Sequence, residues 1–205
     1  MLKMIAGAQV YDPTILSQGY EIYENLITAN VDCDNIRALI DGFIEMNKDM
    51  PLFLFIEVPA HIDDETISET FPDGSVAIEN KHKDIYYLDA ISAETTIALL
   101  DQFEEILIND GLSAFGVGTP KGEEIGKYRY NIVKVYGYEE AVHYIPLFEK
   151  VGIPRVDELV TAWNTISQDT PGTSVCYYDS NGRSVYDIVD TLKEVGMYKA
   201  EQREE

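Results

Sequence analysis

Three residues near the middle of the chain have the types and order found in a metal-dependent nuclease core. Asp73 is followed by Glu79 and Lys81, which is an Asp followed by Glu-x-Lys on a predicted strand. In such a site the carboxylates hold a divalent metal ion and the lysine helps to activate the attacking water. The pattern is short and acidic residues are abundant here, so a turn leading into a solvated strand is the favoured interpretation. A metal-dependent hydrolase using these three residues stays open as the alternative function.

A second group of polar residues precedes this motif. His61 is followed by Asp63, Asp64 and Glu65, and an imidazole with carboxylates could approach a metal ion. The other histidines of the chain are distant in sequence. Three carboxylates are also typical of a helix N-terminus, where they face the positive end of the helix dipole. We therefore predict a structural role here and no bound metal.

The glycine-rich segment 116–126 resembles a phosphate-binding loop only superficially. Lys121 precedes Gly122 rather than following the last glycine, and Glu123 and Glu124 would face a bound phosphate. The segment is predicted to be a flexible loop between two strands.

The chain also lacks a recognisable nucleophile motif. Ser113 lies in Gly-Leu-Ser-Ala-Phe-Gly, which misses the GxSxG spacing by one residue, and Cys33 and Cys176 have no redox or metal spacing. We predict a non-enzymatic protein without a cofactor, with reduced thiols and a cytoplasmic location.

The elements that must position these residues alternate between helical and strand periods. Helical spacing covers 16–27, 36–44, 92–111, 139–150, 156–166 and 184–195. Strand patterns cover 52–58, 75–78, 84–88, 112–117 and 128–136, and Asn181-Gly182 predicts a hairpin within 175–186. This order predicts an α+β fold for residues 1–205, a single domain with a mostly antiparallel sheet packed against several helices.

The charge of the chain is its most unusual property. Among 205 residues, 37 are Asp or Glu and 15 are Lys or Arg, which gives a formal net charge of −22. So negative a surface disfavours binding to nucleic acid and to anionic membranes. A basic protein partner is compatible with it, and the 14 tyrosines could supply rigid contact area. Solubility alone is the other explanation of the charge.

Four segments carry a resemblance to a known group of bacterial proteins. They are PLFLFIEVP at 51–59, HKDIYYLD at 82–89, LINDGLSAFG at 107–116 and DELVTAW at 157–163. In these segments the chain resembles immunity proteins of contact-dependent or polymorphic toxin systems. The resemblance implies a cytoplasmic antitoxin that binds the C-terminal domain of a toxin and blocks its active site.

The leading prediction is therefore an immunity protein that neutralises a basic toxin domain by direct binding. Its interface is expected to be acidic with aromatic anchors. The candidate partner-binding residues are Asp63, Asp64, Glu65, Asp73, Glu123 and Glu124. An accessory protein of another purpose is a third possibility.

Overall fold

The computed structural model describes residues 1–60, 66–70, 76–79, 82–138 and 140–204, with the backbone alone at 66–70 and 76–79. The α-helices in these residues are α1 (Cys33–Met46), α2 (Ala93–Asn109), α3 (Ile145–Lys150) and α4 (Val185–Lys193). The strands are β1 (Ala8–Gln9), β2 (Gly19–Tyr23), β3 (Leu26–Asn30), β4 (Leu52–Pro59), β5 (Thr66–Thr70), β6 (Val76–Glu79), β7 (Lys83–Ile91), β8 (Ala114–Gly118), β9 (Glu124–Lys127), β10 (Ile132–Tyr136), β11 (Thr173–Ser174) and β12 (Tyr198–Arg203). Short 3-10 turns lie at Pro13–Ile15, Arg129–Asn131, Ala141–Tyr144 and Ala162–Asn164.

Eight of the described strands form one antiparallel sheet in the order β12-β7-β4-β8-β9-β10-β3-β2. Consecutive strands pair as hairpins at β2–β3, β8–β9 and β9–β10. The pairing of β3 with β10 is long-range, because Ile132 lies opposite Asn30 and Tyr136 opposite Leu26. Strands β5 and β6 pair with each other, as do β1 and β11. The predicted α+β fold with a mostly antiparallel sheet is confirmed.

The helices cover one face of this sheet. Helix α1 contacts β8, β9 and α2, whereas α2 and α4 contact β4 and each other. Apolar side chains fill the core between the helices and the sheet. They recur every three or four residues along a helix and at every second residue along a strand. On α1 these buried residues are Ile36, Leu39, Ile40, Phe43 and Ile44. Strand β4 contributes Leu54, Ile56 and Val58 to the same core.

Two of the helix starts agree with the sequence. Ser92 Oγ accepts a hydrogen bond from the backbone N of Thr95 at 3.2 Å and caps α2. At α4, the backbone N and Oγ of Ser184 donate to the Asp187 carboxylate at 2.7 and 2.9 Å. These bonds satisfy polar groups that a helix N-terminus leaves without intrahelical partners.

The prediction of a helix over 16–27 was wrong. This segment contains the hairpin of β2 and β3, whose turn places Glu24 at a φ of 53°. Tyr20 and Ile27 are buried, as a helical stripe would also require, but Tyr23 is 73% exposed. The hairpin alternates its residues between the two faces, and this alternation matched the helical spacing by coincidence.

The predictions for 139–186 were only partly right. The helix expected over 139–150 begins at Ile145 as α3, after a 3-10 turn at Ala141–Tyr144. Within 156–166 the structure has a 3-10 turn at Ala162–Asn164 in place of an α-helix. The expected hairpin over 175–186 is a single turn with Gly182 at a φ of 75°, followed by α4.

The helix-free face of the sheet is concave. Arg203 of the edge strand β12 lines the same cleft as Tyr136 of β10, although five strand spacings separate these strands in the sheet. At about 4.8 Å per spacing, a flat sheet would hold them far apart. The sheet therefore curls around this face, which we call the concave face.

None of the helices in the described residues combines the length and the apolar character that crossing a membrane requires.

Candidate functional site

Most of the acidic residues singled out from the sequence lie outside the described residues. Asp63, Asp64, Glu65 and Asp73 belong to this set, and Lys81 of the alternative hydrolase site also lies outside the described residues. Glu79 is described only as part of the backbone of β6. The alternative hydrolase site thus stays a prediction, which calorimetric titration with Mg²⁺ or Mn²⁺ and a Glu79→Ala variant would check. In the remaining described residues, no three His, Cys, Asp or Glu side chains form a metal-binding group.

Glu123 and Glu124 are described, and the structure separates them. Glu123 lies at the end of the β8–β9 turn, where its backbone O accepts a hydrogen bond from Thr119 N at 2.8 Å. It lines a cleft together with His143 and Tyr138. Glu124 begins β9 and lies on the concave face, where Tyr128 Oη is 3.5 Å from its carboxylate. Burial raises the pKa of Glu124. The two glutamates line different clefts, which share Tyr138.

Three of the four glycines in the segment 116–126 lie in strands rather than in a loop, and they lie beneath aromatic rings on the concave face. Gly116 and Gly118 belong to β8, and Gly126 belongs to β9. A Cβ at Gly118 would lie 2.2 Å from Phe53 Cζ, and one at Gly126 would lie 2.9 Å from Phe55 Cζ. The predicted flexible loop is limited to the turn between the strands. The glycines leave room for the phenylalanine rings above the backbone.

Two clefts open on the concave face, on either side of Tyr128. The cleft that we call the Trp163 cleft has a volume of about 460 Å³ and is lined by Glu57, Lys83, Arg129, Lys134 and Trp163, among others. The second, of about 570 Å³, is lined by Glu124, Tyr136 and Arg203. Tyr128 contributes to both, and burial raises the pKa of its hydroxyl. Lys134 Nζ stands 5.2 Å from the centroid of the Tyr128 ring, a cation–π contact.

The outer surface of α1 and α2 is strongly acidic. Between them these helices carry seven carboxylates and one basic residue, Arg37. We call this group the acidic helical surface: Asp34, Asp41, Glu45, Glu94, Asp101, Glu104 and Glu105.

Arg37 fixes part of the acidic helical surface by joining the two helices. Its Nε is 2.7 Å from Asp41 Oδ1, its Nη2 is 2.6 Å from Asp101 Oδ1, and its Nη1 contacts Glu104. Burial opposes the charge of the guanidinium, but the three carboxylates raise the pKa of Arg37 above its ordinary value. The carboxylates are therefore held in place, and together they outnumber the cation that holds them.

A buried polar cluster connects the end of α2 to the sheet. Lys127 is fully buried, and its Nζ donates to the carbonyl of Asp110 and lies 3.5 Å from that of Ser113. Burial lowers the pKa of Lys127 to about 8. The Asp110 carboxylate accepts from the backbone N atoms of Leu112, Ser113 and Tyr177.

The candidate nucleophiles do not form a catalytic arrangement. Ser113 is fully buried, and its Oγ has no hydrogen-bond partner in the described part of the chain, so no base is in place to activate it. Burial raises the pKa of both Cys33 and Cys176, which keeps these thiols protonated at neutral pH.

Sequence reasoning missed both the acidic helical surface and the Trp163 cleft. The i,i+4 spacing of Arg37 and Asp41 was a usable signal for a charged helix face. Nothing in the sequence brings Lys83 and Trp163 together, because they are 80 positions apart and meet only through the curl of the sheet.

No protein-family model matches this chain, and no curated protein or solved structure is significantly similar to it.

Proposed function

We propose that this protein is a cytoplasmic, non-enzymatic immunity protein that binds and neutralises a basic toxin domain. The observation that carries the proposal is the acidic helical surface, on which seven carboxylates of two packed helices face three cations. The cations are Arg37 of α1 and two lysines outside the helices, Lys3 paired with Asp34 and Lys48 paired with Glu45. A basic partner would be attracted to such a surface over a distance and would associate with it rapidly.

The way Arg37 is bound strengthens this proposal. Its guanidinium is engaged with carboxylates from both helices, so the positions of these acids are set before a partner arrives. Side chains that are already ordered lose less conformational entropy on binding. A basic active site that normally holds phosphate groups would find carboxylates at fixed positions in their place.

The first experiment identifies the partner. The tagged protein is purified from its native cells with washes at low and at high salt, and the retained proteins are identified by mass spectrometry. A single basic toxin domain at near-equal stoichiometry is the expected result. If no protein is retained on the tagged protein even after the low-salt wash, tight inhibition of a toxin in those cells is contradicted.

The second experiment locates the interface by reversing charge. We predict that Glu45→Lys with Asp101→Lys weakens binding of that domain at least about tenfold and makes it less sensitive to salt, because attraction becomes repulsion. The two side chains are 70% and 65% exposed, but Glu45 pairs with Lys48 and Asp101 pairs with Arg37. A melting curve of the double variant therefore checks that it folds before its binding is measured.

The matched control is Asp157→Lys with Glu158→Lys, which changes the net charge equally at exposed residues outside α1 and α2. Affinity should change by less than about threefold in this control. Equal effects of the two double variants would show that net charge, and not the acidic helical surface, determines binding.

A further inference from the structure

The second cleft on the concave face is lined mainly by tyrosines around one carboxylate. We call it the Glu124 cleft, and its volume is about 570 Å³. Tyr128, Tyr136 and Tyr138 line it, and Glu124 and Arg203 are the charged residues among its lining residues in the described chain. A cavity of this size is typical of a small-molecule site.

The register of the strands places Glu124 between two aromatic rings. Glu124 of β9 lies opposite Tyr136 of β10 on one side and opposite Gly118 of β8 on the other. Residues directly opposite in antiparallel strands point to the same face of the sheet. The Phe53 ring occupies the space above Gly118, where a Cβ would lie 2.2 Å from Phe53 Cζ. The carboxylate therefore stands in a row with an aromatic side chain on each side.

A third ring borders this carboxylate along the direction of β9. A Cβ at Gly126 would lie 3.1 Å from Tyr128 Cε2, so the Tyr128 ring lies over Gly126, two residues along the strand from Glu124. Tyr128 Oη is 3.5 Å from the Glu124 carboxylate. The same ring already attracts an ammonium group of the protein, because Lys134 Nζ of the Trp163 cleft stands 5.2 Å from its centroid. The aromatic surround of Glu124 is thus one that favours a positive charge.

Glu124 forms no ion pair with the described residues, although Arg203 lines the same cleft. Arg203 Nε pairs instead with Glu201 Oε2 at 2.7 Å. Burial raises the pKa of Glu124, since its charged form loses hydration and Arg203 offsets that loss only in part. A half-buried carboxylate without a paired cation is costly, and a cation that enters the cleft would reduce this cost.

We propose that the Glu124 cleft is a binding site for a small alkylated ammonium compound. Glu124 supplies the opposite charge, and the rings of Tyr128, Tyr136 and Tyr138 contact the alkyl groups over which the positive charge is spread. Tyr138 is 69% exposed, so its ring lies where it can close over a bound ligand. None of these residues belongs to the acidic helical surface, and the proposals can therefore fail independently.

Calorimetric titration of the protein alone at low salt measures this binding. The probes are choline, its uncharged analogue in which a carbon atom replaces the nitrogen, and ethanolamine, which keeps the charge and the hydroxyl but has no methyl groups. We expect choline to bind saturably with a dissociation constant below about 1 mM. The other two compounds should bind at least about tenfold more weakly, because one lacks the charge and the other lacks the alkyl surface.

Variants of the two neighbouring glutamates test whether choline binds in this cleft. Glu124→Gln should weaken binding at least about tenfold, because it removes the opposite charge and keeps the shape of the side chain. Glu123→Gln is the matched control, since it makes the same charge change in the adjacent cleft and should alter affinity less than about threefold. If Glu124→Gln does not fold, as judged by its melting curve, Tyr136→Leu takes its place with the same expected loss.

A third variant tests the sign of the charge that the cleft selects. Arg203→Met removes the cation that lines the cleft, at a side chain that is 58% exposed, and should tighten choline binding. Three results would each overturn the proposal: no saturable binding of choline, equal binding of choline and its uncharged analogue, or equal losses in Glu124→Gln and Glu123→Gln. Equal binding of ethanolamine and choline would overturn the selection of alkyl groups.

Discussion

At the scale of single residues, Lys127 combines a fully buried amine with backbone carbonyl partners. The carbonyls of Asp110 and Ser113 lie at the C-terminal end of α2 and just beyond it, where a positive charge is favoured by the helix dipole. Burial still outweighs this attraction, because it lowers the pKa from its ordinary value of 10.5 to about 8. The folded structure therefore favours the neutral form of the Lys127 amine more than water does.

This shift predicts an unusual dependence of stability on pH. Between pH 8 and 10.5 the unfolded chain binds a proton at Lys127 that the folded chain has released. Raising the pH through this range therefore stabilises the folded form, by roughly 3 kcal/mol for this residue. We predict that the unfolding free energy of the native protein, minus that of Lys127→Met, increases by this amount from pH 8 to 10.5 in denaturant titrations.

The exposed Lys121 serves as the reference for Lys127, because Lys121→Met changes the same charge on the surface. The change with pH measured for Lys127→Met should exceed that measured for Lys121→Met. Parallel curves for Lys127→Met and the native protein would show that Lys127 titrates normally.

At the scale of elements, strand β8 depends on the absence of side chains at two positions. A Cβ at Gly116 would lie 2.2 Å from the Ile125 carbonyl oxygen of the neighbouring strand, as well as against Phe55. At Gly118 the three nearest atoms all belong to the Phe53 ring. At Gly116 the obstructing atom belongs to the backbone, which the sheet holds in place. At Gly118 the obstructing atoms belong to a side chain that can rotate.

We therefore predict different costs for the same substitution at these positions. Gly116→Ala should lower the free energy of unfolding by about 2 kcal/mol or more, because the strands must separate locally. Gly118→Ala should cost clearly less, because the Phe53 ring can move toward solvent. Denaturant unfolding of both variants checks this order, and a larger loss for Gly118→Ala would contradict the packing described for β8.

The elements that the sequence predicted well are those whose signals are local. The strand at 52–58 has a nearly continuous apolar run that only Glu57 interrupts, and α2 and α4 have capping residues at their starts. The failures have non-local causes. Tyr20 and Tyr23 lie in a hairpin that is stabilised by pairing with β10, and the six residues of β12 are all exposed, so they show no apolar alternation.

At the scale of the whole molecule, two charged regions lie on opposite sides of the sheet. The acidic helical surface lies on the outside of the helix layer, whereas the cations of the Trp163 cleft lie on the concave face. Little of this separation could be predicted from the sequence. Arg37 meets Asp101 and Glu104 across 64 and 67 positions, and such contacts are determined by packing rather than by local spacing.

The excess of carboxylates should make the fold sensitive to ionic strength. With a net charge of −22, mutual repulsion destabilises the folded state, and salt screens this repulsion. We predict that the melting temperature rises as sodium chloride is increased from low to about 0.5 M. The Glu45→Lys with Asp101→Lys variant should show a smaller rise, because it removes part of the repulsion. A melting temperature that is independent of salt in both proteins would contradict this expectation.

The pairing of β3 with β10 has a consequence for how the chain reaches this structure. The strands are about 100 residues apart, so closing that loop has a substantial entropic cost before the contacts compensate for it. Folding dominated by such distant contacts takes milliseconds to seconds rather than microseconds. During synthesis, the β2–β3 hairpin and α1 emerge well before residues 132–136. One edge of β3 therefore remains unpaired until β10 has been synthesised.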